Sequence, residues 1–510
     1  MVERASKPFQ SFKEFQYKRH RPEESVLYKL IQENLETFLE RFQLEMGHPL
    51  PAFVTKEFYD YLNCGILVNG FLRVQCEKCH KENLVAFSCK HRGFCPSCGA
   101  RRMAETAAHL VDYVLPHQPI RQFVLTFPFQ LRPLLAVRPK IMGACLEISH
   151  RATTAFLLKK AGLSKTTGVT GGVTLIQRFV GACNVNVHLH QLLIDGAYEL
   201  SADKIPEDFH KIAPPTVPEL EGLVKIIAHR VAKYLEKNGI IVKDDDALLQ
   251  LNIPIEEGFS HLQAASSSYR FLLGPNKGKK ALVLKTQVDR DHLGKGGLVG
   301  KYSGFTLHAG VAVGPGQRDK LEKIARYIAR PAISEERLSV NSRGQVIYKL
   351  KTPYDDGTTQ IVFEPLEFLE KLAALVPRPR VHLTRFHGVL APNYKHRKLI
   401  IPTPPATAPT QEKTDQTQDD NKENGSKKKK RITWAQLLKR VFKIDMEICN
   451  VCGGKMAVIS AITDPEVIQK ILEHLKLPTR SPKIHPSRGP PHQYHKGAGD
   501  DFIQAFPDYD

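Results

Sequence analysis

The chain has 510 residues, too many for one ordinary core and enough for roughly two to four domains. Its 42% hydrophobic and 25% charged residues are those of a soluble globular protein, and no run approaches the ~20 apolar residues of a membrane helix, so a membrane partner is not expected. A formal charge of +20 points instead to a polyanion, most commonly nucleic acid, because Lys and Arg release the counterions condensed on phosphates.

The first 24 residues are polar and basic and carry no apolar core of a secretory signal, which makes a cytoplasmic location the expectation. In that setting the ten cysteines read as thiols or metal ligands rather than disulfides. Residues 1–63 form an N-terminal helical segment, in which VLYKLIQENLETFLERF has helical spacing and Pro49 and Pro51 interrupt it.

A cysteine-rich module follows over residues 64–110. Cys76 and Cys79 form one C-x2-C knuckle and Cys95 and Cys98 another, so four thiolates can surround one tetrahedral zinc ion, whose binding supplies folding energy to a loop-rich segment. Cys64, Cys89, His80 and His91 lie nearby as replacement ligands or spectators. Arg101 and Arg102, with Arg92, flank the module and offer cations to DNA phosphates; a purely structural zinc staple is the alternative.

From 111 to 400 short apolar strands alternate with amphipathic segments, as in a mixed domain of helices and strands; residues 200–280 are more charged and stand as a candidate insertion. The strongest chemical signal is NVNVHLHQLLIDG, residues 184–196. Asn184, Asn186, His188 and His190 alternate with Val185, Val187 and Leu189, so on a strand the two imidazoles face the same way, as a pair sharing a divalent metal ion must. Asp195 has the opposite parity and is not assigned as a ligand.

RDKLEKIARYIAR, residues 318–330, fits an amphipathic helix with Leu321, Ile324, Ala325 and Ile328 as its apolar stripe and Pro331 as its stop. Tyr327 lies on the flank of that stripe, where its ring rests on protein and its hydroxyl reaches a cleft; Arg326 and Arg330 suit a phosphate. A phenol with an ordinary pKa near ~10 needs a metal or base to attack phosphorus. A boundary tyrosine that merely packs its ring is the alternative.

Residues 401–431, with four early prolines, a polar stretch and the basic run Lys427 to Arg431, read as a disordered basic linker. A small C-terminal module, 432–510, holds Cys449 and Cys452, a single C-x2-C pair whose further ligands are not evident, His474 being a distant candidate.

Several segments together resemble the HUH tyrosine transposases of the insertion sequence 91 group and its common-region relatives. They are CGILVNGFLRVQCEKCHKENLVAFSCKHRGFCPSCGARRM, IRQFVLTFPFQLR, LIQRFVGACNVNVHLHQLLIDG, GFTLHAGVAV, KIARYIARPAISEERL, the region from DGTTQIVFEPL to HGVLAPN, and CNVCGGKMAVISAITDPEVIQKIL, in the expected order. The resemblance implies that His188 and His190 are the HUH metal pair, that Tyr327 is the nucleophile of a Y-x-x-R-P segment, and that the front cysteines form the zinc module. Lys323 stands where some relatives carry a second tyrosine, so the chain looks like the single-tyrosine branch. For the third metal ligand His308 is a candidate, while Gln191 would face away; Arg385 and His387 of LTRFHG are either phosphate contacts or part of a structural turn.

The expected fold is therefore α+β: an HUH-type nuclease domain with a central antiparallel sheet, an N-terminal zinc-binding module and a small C-terminal module. The function implied is a transposase that cleaves and rejoins single-stranded DNA at element ends and target through a 5′-phosphotyrosine intermediate, with Mg2+ or Mn2+ at the histidines and structural Zn2+ at the cysteines. Oligomeric state stays open. The competing readings are a plasmid replication initiator or relaxase of the same chemistry, and a nonenzymatic zinc-dependent DNA-binding protein.

Overall fold

The computed structural model describes residues 20–243, 249–251, 258–285, 297–354, 356–402, 433–442 and 446–489. Nearly all of the stretch read as a linker, including Lys427 to Arg431, lies outside them. Helix α1 (Val26–Met46) starts where the Ser25 hydroxyl accepts the Tyr28 N–H at 3.2 Å, and it ends at Gly47, whose left-handed φ of 75° costs glycine little. The two prolines then separate it from α2 (Ala52–Asn63), as expected. Phe38 and Phe42 of α1 and Phe58 of α2 are fully buried, and Phe58 packs at 4.8 Å on Phe94 of the cysteine-rich segment. The N-terminal helices thus share one core with the cysteine module.

That module is built on a hairpin, β1 (Phe71–Cys76) and β2 (Glu82–Ala86), followed by α3 (Pro96–Tyr113). The main sheet is antiparallel throughout. Its strands are β3 (Ile120–Thr126), β4 (Gly171–Phe179), β5 (Val185–Ile194), β6 (Val299–Tyr302), β7 (Phe305–Val313) and β8 (Thr384–Gly388), in the spatial order β6-β7-β3-β5-β4-β8. The histidine strand β5 is central, and all ten of its residues are buried.

Strand parity sorts the two faces. Val185, Val187, Leu189 and Leu193 belong to the core shared with α1, α2 and the helices α4 (Pro139–Lys160) and α5 (Val217–Lys237). Leu192 and Ile194, on the histidine parity, belong to a second core with Ala107 and Leu110 of α3 and with Leu321, Ala325 and Ile328 of α6 (Arg318–Ile328). The tyrosine helix therefore packs on the same sheet face that carries His188 and His190. Residues 200–280, read as a candidate insertion, supply α5, whose Leu220, Val224, Ile227 and Val231 lie in the main core.

A second antiparallel sheet, of Leu282–Lys285, Leu338–Val340, Val346–Lys349 and Thr358–Phe363, flanks the first. At the other end of the chain, β9 (Met456–Ile462) pairs with β1, giving a three-stranded sheet β9-β1-β2. Among the described residues no helix is long and apolar enough to cross a membrane.

Candidate metal and nucleophile site

The antiparallel register brings three strands to one cleft. Gln177 of β4 stands opposite His188 of β5, and Thr126 and Val124 of β3 stand opposite His188 and His190. A cleft of about 470 Å³ is lined by Gln122, Thr126, Gln177, Asn186, His188 and His190, together with His308, Tyr327 and Arg330. The imidazole pair and the phenol, far apart in sequence, thus border one space.

The donor and acceptor roles in this cleft are constrained. Nδ1 of His188 lies 2.9 Å from the carbonyl oxygen of Asn186, so it donates. Burial holds His188 far below an ordinary imidazole, at about 4, so at neutral pH the ring carries one proton and Nε2 keeps its lone pair. That lone pair faces the Gln177 Oε1 at 3.0 Å, an acceptor against an acceptor. His190, held down at about 3 by burial and then by His188, directs its own Nε2 to the same oxygen at 3.4 Å. The lone pairs of His188 Nε2 and Gln177 Oε1 meet where a cation would relieve their repulsion, while Gln122 Nε2 donates to His190 Nδ1 and leaves the His190 proton on Nε2, toward the same oxygen. Neighbouring ligands of an octahedral ion with bonds of roughly 2.1 Å lie about 3 Å apart, which these separations fit. Asn186 Oδ1, buried on the same face, has no hydrogen-bond partner.

Gln122 Nε2 lies 2.7 Å from Nδ1 of His190 and fixes that ring. The Gln177 Nε2 donates to the carbonyl of Ile328 at 2.8 Å, tying the site to the last turn of α6. Gln177 is the residue that sequence reasoning missed. It lies on the neighbouring strand, and an isolated glutamine carries no spacing signal. His308 lines the cleft, but among the described residues no cluster of three His, Cys, Asp or Glu ligands includes it. Gln191 faces the other side of the sheet, donating to Ser149 Oγ of α4, and Asp195 forms a buried pair with Arg121 at 2.7 Å.

Tyr327 is 46% exposed and lines the cleft. Arg330 lies 4.4 Å from its ring centroid and Lys351 5.1 Å, so two cations flank the phenol. Arg326 is half-buried on the same helix. His387 is buried on the opposite sheet face, stacked on His150 with centroids 4.0 Å apart and within 3.0 Å of Thr174 Oγ1, and Arg385 is exposed. His387 therefore contributes packing on that face rather than a wall of the cleft.

The cysteines gather differently from the expected single set. Cys64, Cys89, Cys95 and Cys98 form one cluster; Cys76, Cys79, Cys449 and Cys452 form another. The expected zinc site of Cys76, Cys79, Cys95 and Cys98 is thus split between two. The hairpin explains why: the Cys76–Cys79 knuckle caps the tip of β1 and β2, while Cys64 precedes β1 and Cys89 follows β2, at its base. A six-residue strand sets tip and base roughly 20 Å apart. At the base, sulfur separations are 3.4 Å (Cys89–Cys98), 3.7 Å (Cys64–Cys98) and 3.8 Å (Cys64–Cys95), near the ~3.8 Å of a tetrahedral ion with ~2.3 Å Zn–S bonds and far beyond a disulfide. His91 is no ligand here, because its ring engages Asp60 and Glu57 of α2.

The first cluster sits against the tyrosine helix. Cys95 and Cys98 open α3, and α3 packs on α6 through the shared core. Arg318, at the start of α6, donates to the carbonyls of Pro116 (2.9 Å), Leu115 (3.0 Å) and Val111 that close α3. Arg101 pairs with Glu105 at 2.8 Å, and Arg102 donates to the carbonyl of Lys90 in the cysteine loop at 2.8 Å.

A cysteine-bound module joined to a sheet with a histidine pair and an accessible tyrosine defines a metal-binding protein, and comparison with known families supplies the class. Residues 171–398 match the family described as "Putative transposase", and residues 30–127 match the "Transposase zinc-binding domain" of insertion sequence 91. The two matches, separated by residues 128–170, together cover most of the chain and agree on the class, a transposase acting on DNA with structural zinc. The chain belongs to the insertion sequence 91 family of transposases, with an N-terminal zinc-binding module. No curated protein and no solved structure matches it.

Proposed function

We propose that this transposase is an HUH-type nuclease that cuts and rejoins single-stranded DNA with Tyr327 as nucleophile, in rolling-circle-type transposition. The reading rests on one observation above all: His188 and His190 converge with Gln177 on the cleft that Tyr327 lines. Residues 111–400 act as the catalytic domain, and residues 64–110 as the zinc module that supports it.

His188, His190 and Gln177 are the residues that would hold a divalent magnesium or manganese ion, which when bound supplies positive charge to polarise the scissile phosphate. The chain's own residues do the rest. The Tyr327 hydroxyl oxygen forms a bond to phosphorus as the bond from phosphorus to the 3′ oxygen breaks, leaving a 5′-phosphotyrosine and a free 3′-hydroxyl. Arg330 and Lys351 hold the phosphate beside the phenol. Rejoining reverses the step, with a DNA 3′-hydroxyl attacking the phosphotyrosine. With Lys323 in place of a second tyrosine, the second transfer uses Tyr327 again, a second copy of the chain or a free DNA hydroxyl.

The test is incubation of full-length protein with labelled single-stranded DNA and Mn2+, followed by a denaturing gel. A protein–DNA adduct is expected for wild type and not for Tyr327→Phe. The His188→Ala, His190→Ala double variant should lose the adduct with its zinc content unchanged. An equal adduct from Tyr327→Phe removes Tyr327 from the mechanism.

A further inference from the structure

The second cysteine cluster joins residues 370 or more positions apart, Cys76 with Cys452 and Cys79 with Cys449. Its two halves are copies of one local structure. In the first, the N–H of His80 donates to the carbonyl of Cys76 at 3.0 Å and the N–H of Cys76 to the carbonyl of Lys81 at 2.9 Å. In the second, Gly453 donates to Cys449 at 2.9 Å and Cys449 to Gly454 at 2.7 Å. The residue after the second cysteine is left-handed in both, His80 at φ 56° and Gly453 at φ 70°. Each turn also aims backbone N–H groups at sulfur: Lys78 and Cys79 toward Cys76 (3.4 and 3.5 Å), and Gly454 toward Cys452 (3.4 Å).

The two knuckles face each other with Cys76–Cys452 sulfurs 3.4 Å apart and Cys79–Cys449 sulfurs 3.6 Å apart, and all four sulfurs lie within 4.8 Å of one another. These separations suit four thiolates around one ion and exclude a disulfide. The approach is tight. A Cβ on Gly454 would meet Lys78 Cβ at 2.7 Å and Cys76 Sγ at 2.9 Å, so the sequence after Cys452 is shaped to admit the opposing knuckle. Four converging thiolates without a cation would repel one another strongly.

We infer that Cys76, Cys79, Cys449 and Cys452 bind a second structural zinc ion, which clasps the C-terminal segment to the N-terminal module. The clasp continues the chain pairing around it: β9 runs antiparallel to β1 from Cys76↔Met456 to Phe71↔Ile462, and Glu77 donates to the carbonyl of Lys455 at 2.9 Å. Beyond it, Ile468 and Leu472 of the helix Pro465–His474 bury against Leu67 and Phe71. The assignment is independent of the nuclease reading, because it needs neither His188 nor Tyr327.

The experiment measures metal content of the full-length chain by mass spectrometry and by the visible absorption of the Co2+-loaded protein. Wild type should hold two zinc ions, which Co2+ replaces as two thiolate-bound centres. Cys449→Ser with Cys452→Ser should hold one, Cys76→Ser with Cys79→Ser also one, and all four changes together still one, since both pairs serve the same site. A single ion in wild type, or two ions retained after Cys449→Ser with Cys452→Ser, overturns the proposal. Wild type itself offers a second readout that no misfolded variant can confuse. Cys79 is exposed and Cys452 half-buried, whereas three of the four ligands of the first cluster are buried, so a chelator should remove the two ions in separate phases with the clasp emptied first. Release of only one equivalent under full chelation equally overturns it.

Discussion

Gln177 donates to the backbone carbonyl of Ile328 at 2.8 Å, one residue beyond Tyr327, while its amide oxygen faces the Nε2 atoms of both histidines. One side chain thereby touches the histidine pair and the helix that presents the phenol. Gln177→Glu keeps an oxygen for the cation and should retain Mn2+ binding. Gln177→Leu removes both functions and should weaken Mn2+ binding and adduct formation by about 10–100-fold, the usual range for residues that orient metal ligands. Mn2+ titration followed by electron paramagnetic resonance checks this; wild-type affinity in Gln177→Leu would exclude Gln177 from the site.

Gly99 follows the last cysteine of the first cluster and abuts the residue that stops the tyrosine helix. A Cβ there would come within 2.6 Å of Pro331 Cβ, a distance real side chains do not reach. Gly99→Ala gains helix propensity of up to about 1 kcal/mol but forces α3 and α6 apart. Overpacking should win and destabilise the fold by about 1–3 kcal/mol, read as a lower urea midpoint at unchanged zinc content. A raised midpoint would show that the two elements separate freely.

The parity of His188 and His190, the extent and apolar stripe of α6, and the proline breaks around α2 were all legible, because each is a local periodicity that the chain expresses within a dozen residues. What escaped is non-local. Gln177 reaches the histidines through strand pairing, and nothing in its neighbours marks it. Spacing favours joining Cys76 and Cys79 to the next knuckle, Cys95 and Cys98, yet the intervening hairpin carries the two pairs to opposite ends. Only the count hints at the answer. Two complete sets of four use eight of the ten cysteines and leave Cys145 and Cys183, which are buried in the main core. The side of the sheet that His387 faces is likewise a matter of register, which LTRFHG alone does not reveal.

The stacked pair His150 and His387 gives the fold an acid-sensitive point away from the cleft. Burial lowers both imidazoles, His387 to about 4, with Glu147 opposing and Arg151 and Arg385 adding in part. An unfolded histidine titrates near ~6.5, so below that pH the unfolded chain takes up the proton that the folded chain refuses. Stability contributed by His387 is full above about pH 6.5 and is lost as the pH falls toward 4, by about 3 kcal/mol in all. Urea midpoints of wild type and His387→Gln, measured from pH 7 to 4.5, should converge as the pH drops. Protonation of the cysteine sites affects both proteins alike, so parallel curves would show that the pair carries no such load.

Arg440 comes from the C-terminal side of the 403–432 stretch, yet it bridges the two helices that carry the first cysteine cluster and the tyrosine. Its guanidinium pairs with Asp112 of α3 at 2.5 Å and with Glu322 of α6 at 2.7 Å. Both carboxylates are largely buried, with side chains 15% and 10% exposed, so removing the arginine leaves two poorly solvated negative charges facing each other across the helix contact. Arg440→Ala should therefore destabilise the chain by about 1–3 kcal/mol. Arg440→Lys keeps the charge but cannot fork to two carboxylates, and should recover only part of the loss. The cost falls on α6, so adduct formation should slow with Tyr327 intact and with zinc content unchanged. A double change with Glu322→Gln separates this from a general surface effect, because it removes one stranded charge and should restore part of the stability lost in Arg440→Ala. If the two substitutions simply add, Arg440 does not hold the tyrosine helix.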